Sequence, residues 1–226
     1  NYFFKNFQTD KIIIKKIKFK NFEAKVKINN FWDYWRIKNF EKYPLEFLIN
    51  EFDKDLSYKT VFYEIGANTG YCSLLISKLL GESGKVYAFE VEPTNFKTLC
   101  DNVILNKFTN LIPLNLGISD SNKLEKFYYN KKYFDKKIFL PQSAMGMHSL
   151  EFNDKVHSKE LFCNSIFIEF DKLIELFKLD IPTHIFIDAY GAEEKIIKSI
   201  LKIDSKKLPK YIIVDIEENI KVVEES

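Results

Sequence analysis

Apolar and lysine positions alternate over residues 1 to 30, in runs such as KIIIKKIKF and EAKVKI. A period of two predicts two half-buried strands with Asn21 near the turn between them. The lysines then form a solvated face that also guards a sheet edge. An aromatic stretch follows, FWDYWRIKNFEKYPLEFLINEF. After Pro44 the spacing of Phe47, Leu48 and Phe52 suits an amphipathic helix, and Phe31, Trp32, Trp35 and Phe40 read as core or lid packing. From residue 60 the pattern changes. TVFYEI predicts a buried strand and Tyr71 to Leu80 a helix; KVYAFE predicts a second strand and Thr94 to Leu105 a second helix. LIPLNLGI reads as a third strand and LEKFYY as an extra one. Residues 130 to 160 lack clear periodicity and are expected to form a long mobile loop. Next come a strand at SIFIEF, a helix from Asp171 to Leu179, a buried strand at THIFID, a helix from Ala192 to Leu201 and a last strand at KYIIVDI.

This succession is the pattern of right-handed strand–helix–strand crossovers on a parallel sheet. The organisation expected is an N-terminal extension over 1–59, with two strands and a helical aromatic segment, and one α/β domain over 60–226. There is no internal repeat and no low-complexity linker.

Composition narrows the function classes. The chain has 226 residues, 46% apolar and 29% charged, with a net charge of +2, as in an ordinary globular chain. Arg36 is the only arginine among 34 basic residues, so 33 are lysines. Planar recognition of phosphates or base edges relies on arginine, so no nucleic-acid partner is expected. Cys72, Cys100 and Cys163 are scattered, with no CxxC, and only His148, His157 and His184 are present. Neither a disulfide framework nor a metal site is expected. No apolar run approaches the ~20 residues of a membrane helix. A cytoplasmic location is therefore expected. The first residue is Asn1, so an upstream piece is expected to be missing, and oligomeric state is not encoded in any pattern read here.

The stretch that carries chemistry is Glu64-Ile65-Gly66-Ala67-Asn68-Thr69-Gly70, between a buried strand and a helix. Ligands of open α/β sheets bind at such strand ends. The spacing GxxxG departs from the dinucleotide fingerprint GxGxxG, which disfavours a nicotinamide-dependent oxidoreductase. A pyrophosphate has no use for a carboxylate before the turn, so Glu64 points to a ligand with positive charge. Glu90 ends the second strand, 24 residues after Gly66, where a carboxylate accepts hydrogen bonds from both ribose hydroxyls. A nucleoside with a cationic tail and no phosphate is described, and S-adenosylmethionine fits. Gly81-Glu82-Ser83-Gly84-Lys85-Val86 lacks P-loop spacing and precedes a strand instead of following one.

The stretches FYEIGANTGYCSLLIS, VYAFEVEPTNFKTLCDNVILN, LGISD and IFIDAYGAEEKIIKSI resemble the FkbM family of S-adenosylmethionine-dependent methyltransferases, over roughly residues 60 to 217. The resemblance implies a class I methyltransferase (Rossmann-like) fold: a mostly parallel sheet with helices on both faces, here with an N-terminal β-hairpin/helix extension. It also implies O-methylation, frequently of sugar hydroxyls. By the same resemblance Glu64, Gly66, Asn68 and Gly70 lie around the methionine moiety, Glu90 takes the ribose, Ser119 and Asp120 lie near the adenine, and Asp188 matches the family's acidic strand end. This chain has Phe186 where the family often has lysine, Tyr190 where an acid is usual, and Val91 after Glu90 in place of proline. It also ends soon after IIVDIEEN, before the last hairpin such a fold normally contains.

Methyl transfer to a hydroxyl is an in-line displacement helped by a group that accepts the proton. Asp188 is the first candidate for that role and His148, in a loop of small residues, the second. The alternative for Asp188 is a structural role, capping the helix that begins near Ala192. Glu193 suits the same helix N-terminus electrostatically. Met145 and Met147 read as loop packing, and Asn102 and Asn106 as ending or flanking the second helix, with a role at the cofactor as the secondary alternative. The expected function is O-methylation of a sugar or another small polar acceptor, without a metal. A non-catalytic binding or assembly domain that keeps the fold is the alternative, and an RNA methyltransferase is disfavoured by the single arginine.

Overall fold

The computed structural model describes residues 13–19, 22–28, 33, 37, 59–130, 157–189 and 191–215. Its centre is a five-stranded parallel sheet of β3 (Val61–Ile65), β4 (Lys85–Phe89), β5 (Leu111–Leu114), β9 (His184–Ile187) and β10 (Tyr211–Val214). Their order across the sheet is β10-β9-β3-β4-β5. The direction of winding reverses between β3 and β9, which opens a crevice at their carboxyl ends. Helices α1 (Tyr71–Leu80) and α2 (Pro93–Asn106) cover one face, and α3 (Phe170–Phe177) and α4 (Glu193–Ile200) the other. This is the mostly parallel, doubly covered sheet that the sequence predicts.

The strands are buried on both faces and alternate strictly. Phe62, Val86, Ala88 and Phe186 pack toward α1 and α2, whereas Tyr63, Ile65, Tyr87, Phe89, Ile185 and Ile187 pack toward α3 and α4. At the amino end of the sheet, Asp180 gathers three partners. Its carboxylate accepts Lys85 Nζ at 2.6 Å and Tyr87 OH at 2.8 Å, and its carbonyl accepts Tyr63 OH at 2.7 Å. This cluster ties β3 and β4 to the segment before β9 at that end.

The alternating N-terminal segment forms the antiparallel hairpin β1 (Ile13–Phe19) and β2 (Phe22–Ile28), in register from Ile13↔Ile28 to Phe19↔Phe22. Its apolar side lies on α1 and α2, where Ile17, Ala24 and Val26 join the same core cluster as Leu74, Leu75 and Leu99. The cover explains the composition of α1. YCSLLISKLL is apolar around most of its circumference because the sheet buries one side and the hairpin another. The aromatic helix expected after Pro44 lies outside the described residues.

Two expectations need correction. LIPLNLGI is not one strand: β5 ends at Leu114, and Gly117–Ile118 form β6 in a separate sheet with β7 (Lys123–Asn130) and β8 (His157–Ile168), in the order β6-β8-β7. The break is made at Asn115, whose side chain donates to the carbonyl of Glu90 at 2.7 Å and ends the ladder there. The strand expected at SIFIEF is also longer, since β8 runs His157–Ile168 antiparallel to β7 (Lys123–Asn130). Residues 157–160 of the expected loop therefore belong to a strand, and 131–156 lie outside the described residues. Among the described residues, no helix is long and apolar enough to cross a membrane.

Candidate active site

The turn from β3 to α1 is made by left-handed residues: Gly66 at φ 91°, Asn68 at φ 52° and Gly70 at φ 87°. Two of them have no room for a side chain. A Cβ at Gly66 would lie 1.9 Å from the carbonyl oxygen of Asp188, and one at Gly70 would lie 2.3 Å from Leu99 Cδ1. The loop is thus pressed against the end of β9 on one side and α2 on the other. Gly66 and Ala67 N–H both donate to the Phe89 carbonyl, at 3.0 and 2.9 Å, and Asp188 N–H donates to the Ile65 carbonyl at 2.9 Å. Asn68 tolerates its left-handed backbone as asparagine commonly does, and its side-chain oxygen accepts the Thr69 N–H at 2.8 Å.

Three carboxylates stand at three adjacent strand ends: Glu64 on β3, Glu90 after β4 and Asp188 after β9. Glu90 is buried, and each of its oxygens accepts one backbone N–H, from Asn68 at 2.6 Å and from Glu92 at 2.8 Å. The Asn95 side chain also bonds to it. A carboxylate has about four acceptor sites, so three donors leave one for a ligand hydroxyl. Burial pushes its pKa up to about 7, against the pull of the two N–H groups and the Asn95 side chain. Glu64 is also buried and accepts the Ser73 hydroxyl from the first turn of α1. Its register partner on β9 is Phe186, and both face the α1 side of the sheet. Burial pushes Glu64 up to about 8; the Ser73 hydroxyl opposes the shift, and Asp188 and Glu90 add to it by repulsion. Asp188 is half-buried.

Other predicted residues are placed by different bonds. Ser119 is buried beyond β6; its N–H donates to the Ile168 carbonyl at 3.1 Å and its hydroxyl to Asp120 at 3.3 Å. The Asp120 carbonyl accepts Lys202 Nζ at 3.1 Å, which sets this residue beside the end of α4. Glu193 opens α4, whose N-cap is Ala192 with no side-chain cap. His148, Met145, Met147 and Tyr190 lie outside the described residues.

Several contributors went unread in the sequence. Ser73 reaches Glu64 and Asn115 braces the Glu90 carbonyl. Glu92 caps α2 by accepting the Asn95 N–H at 2.6 Å, and Tyr129 from β7 donates to it at 3.2 Å. Only the Glu92 cap had a local signal, an acid directly before Pro93 at a helix start.

A nucleoside with a sulfonium and an amino-acid tail fits these residues. Among the described residues the buried Thr69 Oγ1 has no hydrogen-bond partner, and Gly70 leaves the first turn of α1 without a side-chain cap. Such a helix start suits a carboxylate. Glu90 keeps an acceptor site for a hydroxyl, and the three acids, where ionised, supply negative potential for a cation. Among the described residues no group of three or more His, Cys, Asp or Glu is arranged to hold a metal ion.

Comparison with known proteins adds a family. Residues 64–222 match the family model described as the methyltransferase FkbM domain. No curated protein matches significantly. A SAM-dependent methyltransferase from Aquifex aeolicus is similar at 25% identity and TM-score 0.29, over 34% of this chain and 40% of its own. Precorrin-6y C5,15-methyltransferase from Geobacter metallireducens is similar at 17% identity and TM-score 0.38, over 70% and 56%. P. horikoshii TYW2, solved in complex with MeSAdo, is similar at 22% identity and TM-score 0.34, over 48% and 37%. The chain therefore spans between 37% and 56% of the length of these three proteins, all distant likenesses.

Proposed function

Since the chain belongs to the FkbM family of S-adenosylmethionine-dependent methyltransferases, we propose that it transfers a methyl group to a hydroxyl of a sugar or another small polar acceptor. The observation that carries this reading is the position of Glu90. It is buried at a strand end, bonded to the Gly66–Gly70 turn through Asn68, and keeps an acceptor site beyond its bonds to Asn68, Glu92 and Asn95.

In this reading Glu90 accepts a ribose hydroxyl, and the Gly66–Gly70 turn lets backbone approach the methionine moiety. Glu64 supplies negative charge toward the cationic end, and Ser119 with Asp120 borders the adenine. When bound, S-adenosylmethionine supplies a methyl group on a positively charged sulfur. Asp188 orients the acceptor hydroxyl in line with that methyl and accepts its proton as the new C–O bond forms. Glu64 and Glu90 would hold the uncharged product of the donor less strongly than the positively charged donor itself. Holding both partners at attack distance supplies most of the acceleration. His148 is the second candidate for the proton acceptor.

Incubation with labelled S-adenosylmethionine and a panel of oligosaccharides, read by mass spectrometry, tests the proposal. A mass gain of one methyl on an acceptor oxygen is expected. Tight donor binding with no transfer to any acceptor favours the non-catalytic alternative.

A further inference from the structure

The side chain of Asn102 is fully buried, and it joins two parts of the molecule that do not otherwise share hydrogen bonds among the described residues. Its amide nitrogen donates to the Thr69 carbonyl at 2.9 Å, inside the turn from β3 to α1. Its amide oxygen accepts the Lys27 N–H of β2 at 2.7 Å. One helical turn later, Asn106 repeats the contact with the hairpin alone. Its oxygen accepts the Lys25 N–H at 2.7 Å, and its nitrogen donates to the Lys25 carbonyl at 2.6 Å. Asn106 also donates to the backbone carbonyl of Asn102 at 2.7 Å. Lys25 and Lys27 are alternate residues of one strand, so their N–H groups point the same way, toward α2. Side-chain amides on α2 thus stand in for a neighbouring strand.

Toward the hairpin Asn106 makes two hydrogen bonds and Asn102 one, and of the two only Asn102 also reaches the turn. Asn106 anchors the hairpin, whereas Asn102 anchors the hairpin and the turn together. The turn has little else to fix the Thr69 carbonyl. Thr69 follows the left-handed Asn68 and precedes Gly70, and its own hydroxyl has no partner among the described residues. The peptide on the other side of Asn68 carries the N–H that Glu90 accepts at 2.6 Å. A carbonyl free to rotate at Thr69 would let Asn68 relax and misalign that bond.

We propose that Asn102 is a positioning residue for the donor site, and that the hairpin β1–β2, by holding its amide, is part of the machinery that shapes the Gly66–Gly70 turn. The proposal rests on the reading that this turn holds S-adenosylmethionine. Asn102 touches no reacting atom; it acts through Thr69 and Asn68 on Glu90.

The test compares Asn102→Asp with Asn106→Ala. Asn102→Asp keeps an acceptor for Lys27 and replaces the donor to Thr69 with a second oxygen. Asn106→Ala removes more hydrogen bonds to the hairpin and none to the turn. Three readouts are taken: the melting temperature, the Kd for S-adenosylmethionine by calorimetry, and amide hydrogen exchange over residues 66–70 in the ligand-free protein. Asn102→Asp is expected to weaken donor binding roughly tenfold, the loss of about one buried hydrogen bond, and to speed exchange at 66–70 by a similar factor. Asn106→Ala is expected to lower the melting temperature while both other readouts stay within about twofold. If the aspartate variant does not fold, Asn102→Ser, which is too short to reach Thr69 and adds no charge, answers the same question. Unchanged exchange at 66–70 in a folded Asn102 variant, or equal effects of the two asparagines on the turn, overturns the proposal. A parent protein that binds no S-adenosylmethionine overturns the proposed function instead, and the exchange comparison still decides the role of Asn102.

Discussion

The backbone N–H of Asn68 donates to Glu90 Oε2 at 2.6 Å, so the acid at the end of β4 and the turn after β3 are one hydrogen-bonded unit. A ligand held by either is sensed by both. Removing Glu90 would release the turn and, in the proposed function, also empty a ribose contact.

Glu90→Ala is accordingly expected to weaken S-adenosylmethionine binding by ~1.5–3 kcal/mol, roughly ten- to a hundredfold. It should also lower the melting temperature, because two buried N–H groups lose their acceptor. Calorimetry and thermal melting on one sample check both. Unchanged donor affinity would remove the ribose assignment.

Gly66 and Gly81 both adopt positive φ, but only Gly66 faces an obstacle. Gly81→Ala should cost about 1 kcal/mol, the conformational penalty alone. Gly66→Ala adds a clash with the Asp188 carbonyl and should cost several times as much or abolish donor binding. Urea unfolding of the two variants makes the comparison, and equal losses would contradict the close approach of the turn to β9.

The buried acids make stability depend on pH. The pKa of Glu64 is raised to about 8 and that of Glu90 to about 7, above the ~4.3 of an exposed glutamate. Between those limits the native state binds more protons than the unfolded state. Stability contributed by these groups is therefore present at acidic pH and is lost as pH rises through 7 and 8. A cationic donor favours the ionised form, so its binding should release protons near pH 7. Calorimetry in buffers of different ionisation enthalpy measures the release. Phe186→Lys, which sets an ammonium next to Glu64, should abolish most of its share. A parent protein that releases no protons would show that neither acid meets the cation.

Asp188→Asn should lower turnover by roughly 100-fold or more, the range for a positioned acid–base group. Donor affinity should change little, since Glu64 and Glu90 carry the donor contact in the proposed function and Glu64 ionises more readily once the repulsion from Asp188 is gone. A variant with lower melting temperature but normal turnover per folded molecule would make Asp188 structural and move attention to His148.

Much of this was legible along the chain because it depends on near neighbours. The bounds of β3, α1, β4 and α2 fall within about a residue of the expected ones, since Gly70, Gly81 and Glu92-Pro93 punctuate them locally. Glu64, Gly66 and Glu90 could be picked out because strand ends and glycines carry position as well as chemistry. What stayed hidden depends on distant partners. LIPLNLGI reads as one apolar run because nothing local shows that Asn115 bonds back to Glu90. The polar outer residues of β8 mask its length until β7 is laid beside it. The spacing of Asn102 and Asn106 shows a shared helix face, but their partners Lys27 and Lys25 lie 75 and 81 residues away.

The sheet order also has a consequence for synthesis on the ribosome. Central strand β3 pairs with β4 soon after it emerges, but its other neighbour is β9, with Ile65 opposite Ile187. At about 5–20 residues per second, the intervening chain takes on the order of 10 s to appear. For that interval one edge of β3, with its apolar faces, has no parallel neighbour, a condition that invites wrong pairing. Asp188 arrives with β9, so the crevice closes around Gly66 only after the nascent chain has passed this exposed stage. A slow passage through the codons between β4 and β9 would prolong it, and a chaperone that binds extended apolar segments would find β3 as its first target.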